Sequence, residues 1–207
     1  NYKVDYILLD YLSSSYELGI YAKGAAITQY LWQIPMLFST IVFARSAVSK
    51  NDRNFSYKVA QLLRVSFVLI SIASIILFLF SNLIIVGLYG KDFEESVLVL
   101  NLLLPGVLLL TIFKVMNMDL QGKGKPWLAL KSMTPSLVIN IILNFIFIPK
   151  YGAAGSAFSS TVSYSFAGLM FLHFYSKAVK IPVREIVKYK KSDLDPIVKF
   201  IKKDSNK

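Results

Sequence analysis

Long apolar stretches dominate the pattern of hydrophobic and polar positions along the chain. A shorter stretch, residues 4–12, is typical of the end of a truncated helix. Five others reach the roughly 20 mostly apolar helical residues that cross a bilayer, namely residues 19–44, 60–88, 97–120, 127–148 and 153–175. None has the period-two alternation of a membrane strand. The pattern predicts an all-α integral membrane fold, a six-helix bundle whose first helix is truncated.

The composition supports a membrane environment for these helices. Hydrophobic residues make up 55% and charged residues 17% of the 207 residues, whereas about a quarter of a soluble domain is charged. The chain has no cysteine and one histidine, His173, which argues against metal sites built from thiolates or imidazoles. No metal, cofactor or catalytic residue is predicted. Because the chain begins at Asn1 inside an apolar pattern, we expect it to be part of a longer membrane chain.

Basic and non-basic connections alternate between the predicted spans. Residues 45–58 hold four cations against Asp52, and residues 122–125 hold two lysines. Residues 177–207 hold ten Lys/Arg against four acidic residues. Because basic connections stay on the cytoplasmic side of a membrane, the C-terminus is predicted to be cytoplasmic. The chain then divides into a membrane bundle, residues 1–176, and a basic cytoplasmic tail, residues 177–207.

The tail contributes more than half of the formal net charge of +11. Its charge favours binding to anionic membrane lipids, at about 1 kcal/mol for each Lys or Arg near the surface. Nucleic acid is not an expected partner, because such binding needs a basic face on a folded soluble domain. Within the tail, residues 195–203 are compatible with a short interfacial helix or with a solvated, disordered segment.

Polar side chains recur inside the fourth full span. Ser132, Ser136, Asn140 and Asn144 are spaced by four residues, which places them on one helix face. A polar group that faces hydrocarbon is costly, so we expect both asparagines to point into the protein. The stripe fits the lining of a cavity that binds a polar ligand, and it equally fits hydrogen bonds between helices.

Charged residues also lie within or near the ends of predicted spans. Lys23 and Lys114 are near enough to a membrane surface to snorkel, or they line a cavity. Asp119 lies closer to the end of its span and is expected to be solvated. Asp5 is the least expected charge, because the run "VDYILL" surrounds it with apolar neighbours.

A specific pattern of residues stands around the junction of the last two spans. It consists of Asn140, Asn144, Pro149, Lys150, Tyr151, Gly152, Gly155 and Ala157. This pattern resembles the junction between the penultimate and last helices of polysaccharide-biosynthesis membrane proteins. These are the O-antigen and teichuronic-acid type flippases of the multidrug/oligosaccharidyl-lipid/polysaccharide exporter superfamily. Residues 4–27 resemble the start of that family's second half, and "LQGKGKPW" at residues 120–127 resembles its glycine-rich basic turn.

The resemblance implies twelve or more helices in two six-helix bundles, of which this chain is the second. The missing N-terminal six-helix half is then its partner, and transport proceeds by alternating access around a polar central cavity. The implied function is a flippase that moves undecaprenyl-diphosphate-linked oligosaccharide across the bacterial cytoplasmic (inner) membrane for surface polysaccharide assembly. The implied substrate is this lipid-linked oligosaccharide.

The residue types in the spans fit such a substrate. A diphosphate needs cations and sugars need hydroxyl and amide partners, so Lys23, Lys114, Asn140 and Asn144 are candidate substrate-binding residues. Asp5 is the best placed acid to couple transport to a proton or sodium gradient. Lys23 matches the family only in part, because Gly24 follows it where related lipid II flippases carry a charged pair.

Three other classes of protein stay open. One is a purely structural or scaffold membrane protein, which would not need a polar stripe recurring across several spans. A cation-coupled multidrug antiporter of the same superfamily would need an acidic, aromatic cavity, whereas the residues above make a cationic or neutral one. A membrane polysaccharide polymerase or acyltransferase would need a sizeable polar loop or a cluster of histidine and acids. The connections here are short and His173 stands alone, so the chain is not expected to be an enzyme.

Overall fold

The protein is helical throughout the residues that the computed structural model describes, which are 2–49, 53–190 and 193. These residues contain no strand, so the all-α prediction is confirmed for them. In chain order the helices are α1 (Tyr2–Leu12), α2 (Ser15–Val48), α3 (Arg53–Leu79), α4 (Ser81–Tyr89), α5 (Ser96–Gly122), α6 (Trp127–Val179) and α7 (Val183–Val187), with a 3₁₀ turn at Lys91–Phe93 before α5.

Three of the described helices are long and apolar enough to cross a membrane: α3, α5 and α6. The span predicted at residues 60–88 is instead two helices. Phe80, with φ −105° and ψ 12°, separates α3 from α4. Helix α3 also begins earlier than predicted, at Arg53, because its polar first turns pack Phe55 and Ser56 into the protein.

A single residue separates the two spans that were predicted at 127–148 and 153–175. Helix α6 continues through Pro149 and is interrupted only at Gly152, whose φ of 52° and ψ of −129° are not helical. A side chain is strained in this region of φ, which glycine tolerates. The Glu17 carboxylate then accepts a hydrogen bond of 2.7 Å from the Ala153 N–H. Helix α6 therefore has two arms, residues 127–151 and 153–179.

Helix α5 packs between α2 and the second arm of α6, and two glycines allow close approach. A Cβ at Gly106 would lie 2.6 Å from the Cα of Thr161, and a Cβ at Gly122 would lie 2.6 Å from the carbonyl oxygen of Phe43. Since a real Cβ does not approach other atoms so closely, these helices meet backbone to backbone. The bundle has a kink end, which holds Gly152, and a tail end, which holds the C-termini of α2 and α6.

The first part of the predicted tail is packed against the bundle. Ile181 and Ile186 are fully buried and belong to the same apolar cluster as residues of α3, α5 and α6. A bound segment, not a free chain, therefore follows α6 up to Lys190. Residues 195–203, for which an interfacial helix or a disordered segment was considered, lie outside the described residues.

Candidate functional site

The Asp5 carboxylate lies at the centre of a buried polar cluster near the middle of the bundle. It is 0% exposed and accepts hydrogen bonds from three elements. Its Oδ2 accepts from the Tyr21 hydroxyl at 3.0 Å and from the Ser160 hydroxyl at 2.5 Å. Its Oδ1 accepts from the amide groups of Asn140 at 3.0 Å and Asn144 at 2.9 Å. We call these five residues the Asp5 cluster.

Two features of the sequence bring these hydrogen-bond donors to the same level in the bundle: the spacing of the asparagines along the helix and the position of the kink at Gly152. Asn140 and Asn144 are one turn apart and share a face of the first arm of α6. The second arm folds back at Gly152, and both Asn144 and Ser160 are about 12 Å along their arms from that residue, at 1.5 Å per residue. Asn140 also donates to the Ser160 hydroxyl at 3.3 Å. The prediction that both asparagines point into the protein is confirmed, since each is fully buried.

The Asp5 cluster contains more acceptors than donors. All four hydrogen-bond donors to Asp5 are uncharged, and in the described part of the chain no cation pairs with it. The Oδ1 atoms of Asn140 and Asn144 are buried and accept no hydrogen bond from a described residue. A buried carboxylate without a cation is costly, and carboxylate and amide oxygens are ligands for hard cations. The cluster is therefore chemically suited to take up a proton or a small cation.

The two lysines predicted to bind substrate lie apart from the Asp5 cluster, each against aromatic rings. The Lys23 Nζ is 4.9 Å from the ring centroid of Tyr89 and 5.4 Å from that of Phe93. The Lys114 Nζ is 5.1 Å from the ring centroid of Trp32. A ring face attracts an ammonium group and limits its motion without neutralising its charge. Both lysine side chains are half-buried.

An apolar groove of about 680 Å³ lies between α2 and the α3–α4 pair. Its wall includes Tyr89, the residue that also contacts Lys23, together with Ile27, Leu31 and Leu77. Lys23, Ile27 and Leu31 are spaced by four residues and so follow one face of α2. An apolar groove of this kind is suited to bind a hydrocarbon chain.

Asp119 is not solvated as expected but is fully buried at the tail end. It accepts hydrogen bonds from the hydroxyls of Ser46 at 2.5 Å, Ser56 at 3.2 Å and Tyr175 at 2.7 Å, and it forms an ion pair of 2.8 Å with Lys123. Four helices are joined at this carboxylate. The spacing of Asp119 and Lys123 on one helix turn was a signal in the sequence, whereas the three hydroxyl donors come from distant segments.

A second buried ion pair was not predicted at all. Arg64 is 6% and Asp193 is 1% exposed. The Arg64 Nε and Nη2 each donate a hydrogen bond of 2.7 Å to one oxygen of the Asp193 carboxylate. The Arg64 Nη1 also donates to the Ile186 carbonyl at 2.8 Å. The Arg64 hydrogen bond holds the pKa of the Asp193 carboxyl below its ordinary value. This pair fastens the bound C-terminal segment to α3.

Comparison with known proteins gives a consistent family. A family model described as lipid II flippase MurJ matches residues 26–200. A protein of Haloferax volcanii named as a probable low-salt glycan biosynthesis flippase, Agl15, is 26% identical over 79% of this chain and 37% of its own length. The capsular polysaccharide biosynthesis protein CapF of Staphylococcus aureus is 25% identical over 83% of this chain and 44% of its own.

A candidate O-antigen transporter of Shigella flexneri is 22% identical over 86% of this chain and 43% of its own length. The chain thus spans less than half the length of these curated relatives. No solved structure matches the chain with significance. The family model covers most of the chain, including the part of α2 after residue 25 and both arms of α6. The chain therefore belongs to the MurJ family of flippases and is a multi-pass membrane protein.

Proposed function

We propose that this chain is the second six-helix half of a flippase that moves undecaprenyl-diphosphate-linked oligosaccharide across the bacterial cytoplasmic membrane. The observation that carries the proposal is the family match over residues 26–200. The printed names of the curated relatives, which concern glycan, capsule and O-antigen, support a saccharide cargo. The missing N-terminal half closes the central cavity, and the C-terminal tail faces the cytoplasm, where it meets anionic lipids.

Lys23 and Lys114 bind the diphosphate of the cargo in this proposal. Each keeps its ammonium against an aromatic ring at about 5 Å, so the cation is held in place before the anion arrives. A preorganised cation loses less conformational entropy on binding. The apolar groove beside Lys23 supports an amphiphilic cargo, because a lipid carrier combines a charged head with a long hydrocarbon chain.

Asp5 couples transport to an ion gradient in this proposal. The uncharged donors around it and the free amide oxygens of Asn140 and Asn144 support uptake of a proton or a sodium ion. Substrate binding by Asn140 and Asn144 stays a prediction. Their contacts favour a role at Asp5, because both amide groups already donate to that carboxylate and both side chains are fully buried.

The second candidate function is a cation-coupled multidrug antiporter. The buried Asp5 carboxylate fits this function as well as it fits the flippase. Two half-buried lysines without a described acidic partner disfavour a cationic drug, because like charges repel. A membrane polymerase or acyltransferase receives no support, because the hydroxyl groups beside Asp5 and Asp119 are fully buried and join helices.

This proposal can be tested by expressing the full-length protein in a strain whose own copy of the gene for this flippase has been deleted. We expect surface polysaccharide to return, and the lipid-linked intermediate that accumulates on the cytoplasmic side to disappear. Resistance to cationic dyes should stay at the level of the empty vector. Restored dye resistance without restored polysaccharide would favour the antiporter and contradict the flippase.

A further inference from the structure

The tail end of the bundle carries a cleft of about 450 Å³ between the C-terminus of α2 and the N-terminus of α3. Two cations and four smaller or apolar groups form its walls: Arg45, Lys58, Ala44, Val48, Ser49 and Phe55. We call it the α2–α3 cleft. Neither of its cations takes part in the function proposed above. Residues 50–52 lie outside the described residues, and the site does not include them.

The two cations of the α2–α3 cleft form no ion pair with an acidic residue in the part of the chain that the structure describes. Arg45 and Lys58 are exposed, and the ion pairs formed among the described residues are Arg64–Asp193 and Lys123–Asp119. The connection as a whole carries four Lys/Arg against one acidic residue. An anion between Arg45 and Lys58 would gain from both charges, and the guanidinium can bind phosphate oxygens in a bidentate manner.

The Asp119 contacts fix the distance between the two helices that carry these cations. Ser46 follows Arg45 directly, and Ser56 lies half a turn before Lys58; both hydroxyls donate to the buried Asp119 carboxylate. Gly122 lies against the α2 backbone at the same level. The cleft is therefore held open on a rigid frame, which lowers the entropic cost of binding.

Exposed apolar side chains lie on both sides of Arg45 along α2, with Ile41 one turn toward the membrane and Val48 at the end of the helix. Ile41, Arg45 and Val48 are four and three residues apart and so share one face of the helix. Ile41 is 58% and Val48 is 89% exposed. Such exposed apolar side chains are suited to lipid chains, while a cation at the helix end is suited to the headgroup level.

We propose that the α2–α3 cleft binds an anionic phospholipid, with its phosphate between Arg45 and Lys58 and its acyl chains along α2 on the Ile41 side of Arg45. The observations that support this occupant are the two cations, the apolar wall beside them, and the position of the cleft where α2 and α3 meet the predicted cytoplasmic surface. The bound lipid would bridge the two helix ends. This site is separate from the cargo contacts and from the tail.

Photo-crosslinking of the full-length protein in phosphatidylcholine nanodiscs tests the proposal. The probe is phosphatidylglycerol with a photoactivatable headgroup, and crosslinked peptides are identified by mass spectrometry. We expect labelling of the peptides that contain Arg45 and Lys58. The double variant Arg45→Gln, Lys58→Gln should lower this labelling about 25-fold, at about five-fold for each cation. The charge-preserving variant Arg45→Lys, Lys58→Arg should keep most of it.

The matched control is Lys125→Gln, Lys131→Gln, which removes one exposed cation from the α5–α6 connection and one from the start of α6. It should leave labelling of the cleft unchanged within two-fold. Equal loss in this control would mean that surface charge alone attracts the lipid, and it would overturn the site. Equal labelling by a phosphatidylcholine probe, or displacement by inorganic phosphate, would also overturn it. Because the readout is phospholipid binding, the result does not depend on whether the protein transports a saccharide.

Discussion

Asp5 has four uncharged hydrogen-bond donors within 2.5–3.0 Å and no described cation beside it. The position of the donors follows from pattern: Asn140 and Asn144 share a helix face, and that face was predicted to turn inward. The pattern could not show that Asp5 is what they bind, because α1 and α6 are separated by more than a hundred residues in sequence. An acid surrounded by apolar neighbours was nevertheless a sequence signal for a buried, partnered carboxylate.

Removal of the Ser160 hydroxyl should destabilise the protein by breaking the shortest contact to Asp5. Hydrogen bonds to charged groups contribute about 1.5–3 kcal/mol, so Ser160→Ala should lower the free energy of unfolding by about that amount. The matched control is Ser165→Ala on the same helix, whose hydroxyl donates to the Thr161 carbonyl at 2.7 Å within its own helix. Denaturant unfolding of the full-length protein in detergent measures both. Equal, small effects would show that Asp5 does not depend on this donor.

The two lysines offer a test of cargo binding at the same scale. Lys23→Ala or Lys114→Ala should lower surface-polysaccharide export while the protein level stays normal, because a charge that binds the diphosphate is lost. The corresponding Lys→Arg change should restore part of the export, since it keeps the charge, and Lys→Gln should not. Lys150→Ala, at an exposed position beside the kink, is the control. Normal export in both alanine variants would place cargo recognition in the proposed N-terminal half.

At the scale of elements, helices were predictable from long apolar runs, but their breaks were not. The break at Phe80 lies at the end of one apolar run, directly before Ser81 and Asn82, and a length of mostly apolar residues does not register two polar positions inside it. A turn was predicted at residues 149–152, between the fourth and fifth full spans. The chain does turn there, but only Gly152 leaves the helical conformation, and the helix continues through Pro149 although proline has no backbone N–H to donate. The Arg64–Asp193 pair was not predictable, since its two residues are 129 positions apart and nothing in either local sequence identifies the other.

Gly152 is the residue on which the two-arm shape of α6 depends. Gly152→Ala should destabilise the protein by about 1–3 kcal/mol, because alanine is strained at this backbone conformation and its Cβ would collide with the Glu17 carboxylate. Gly87→Ala within α4 is the matched control, since a Cβ there meets no atom within 4 Å. It should stabilise the protein by about 0.5–1 kcal/mol through helix propensity. The same sign of change in both variants would contradict a special role for the kink.

The bound C-terminal segment should respond to acid only below the ordinary range of an aspartate. Because Arg64 lowers the pKa of Asp193, the stabilisation is complete above about pH 3.9, the unfolded value. It is lost as the pH falls through the lower, folded pKa. Hydrogen exchange of residues 181–190 should therefore stay slow from neutral pH down to about 4 after correction for intrinsic rates. Arg64→Gln should make exchange fast at every pH, whereas Arg53→Gln, at an exposed position on the same helix, should not.

On the scale of the whole molecule, one half-buried and two fully buried polar contacts connect the helices at different heights. Glu17 and Ala153 meet at the kink end, the Asp5 cluster lies in the middle, and Asp119 joins four helices at the tail end. A body connected in this way is suited to move as one unit against a partner half. Two predictions concern this scale: that the chain is the second of two six-helix bundles, and that its C-terminal tail lies in the cytoplasm. Both are to be tested on the full-length protein.

The most direct measurement is transport by the full-length protein in proteoliposomes that contain a fluorescent lipid-linked oligosaccharide. An imposed proton or sodium gradient should accelerate its movement between leaflets. Asp5→Asn should abolish the acceleration while cargo binding is retained, because the amide keeps the size of the side chain and loses its charge. Asp10→Asn, on the exposed face of the same helix, should respond like the unaltered protein. Equal gradient-driven transport by Asp5→Asn and the unaltered protein would contradict coupling at Asp5.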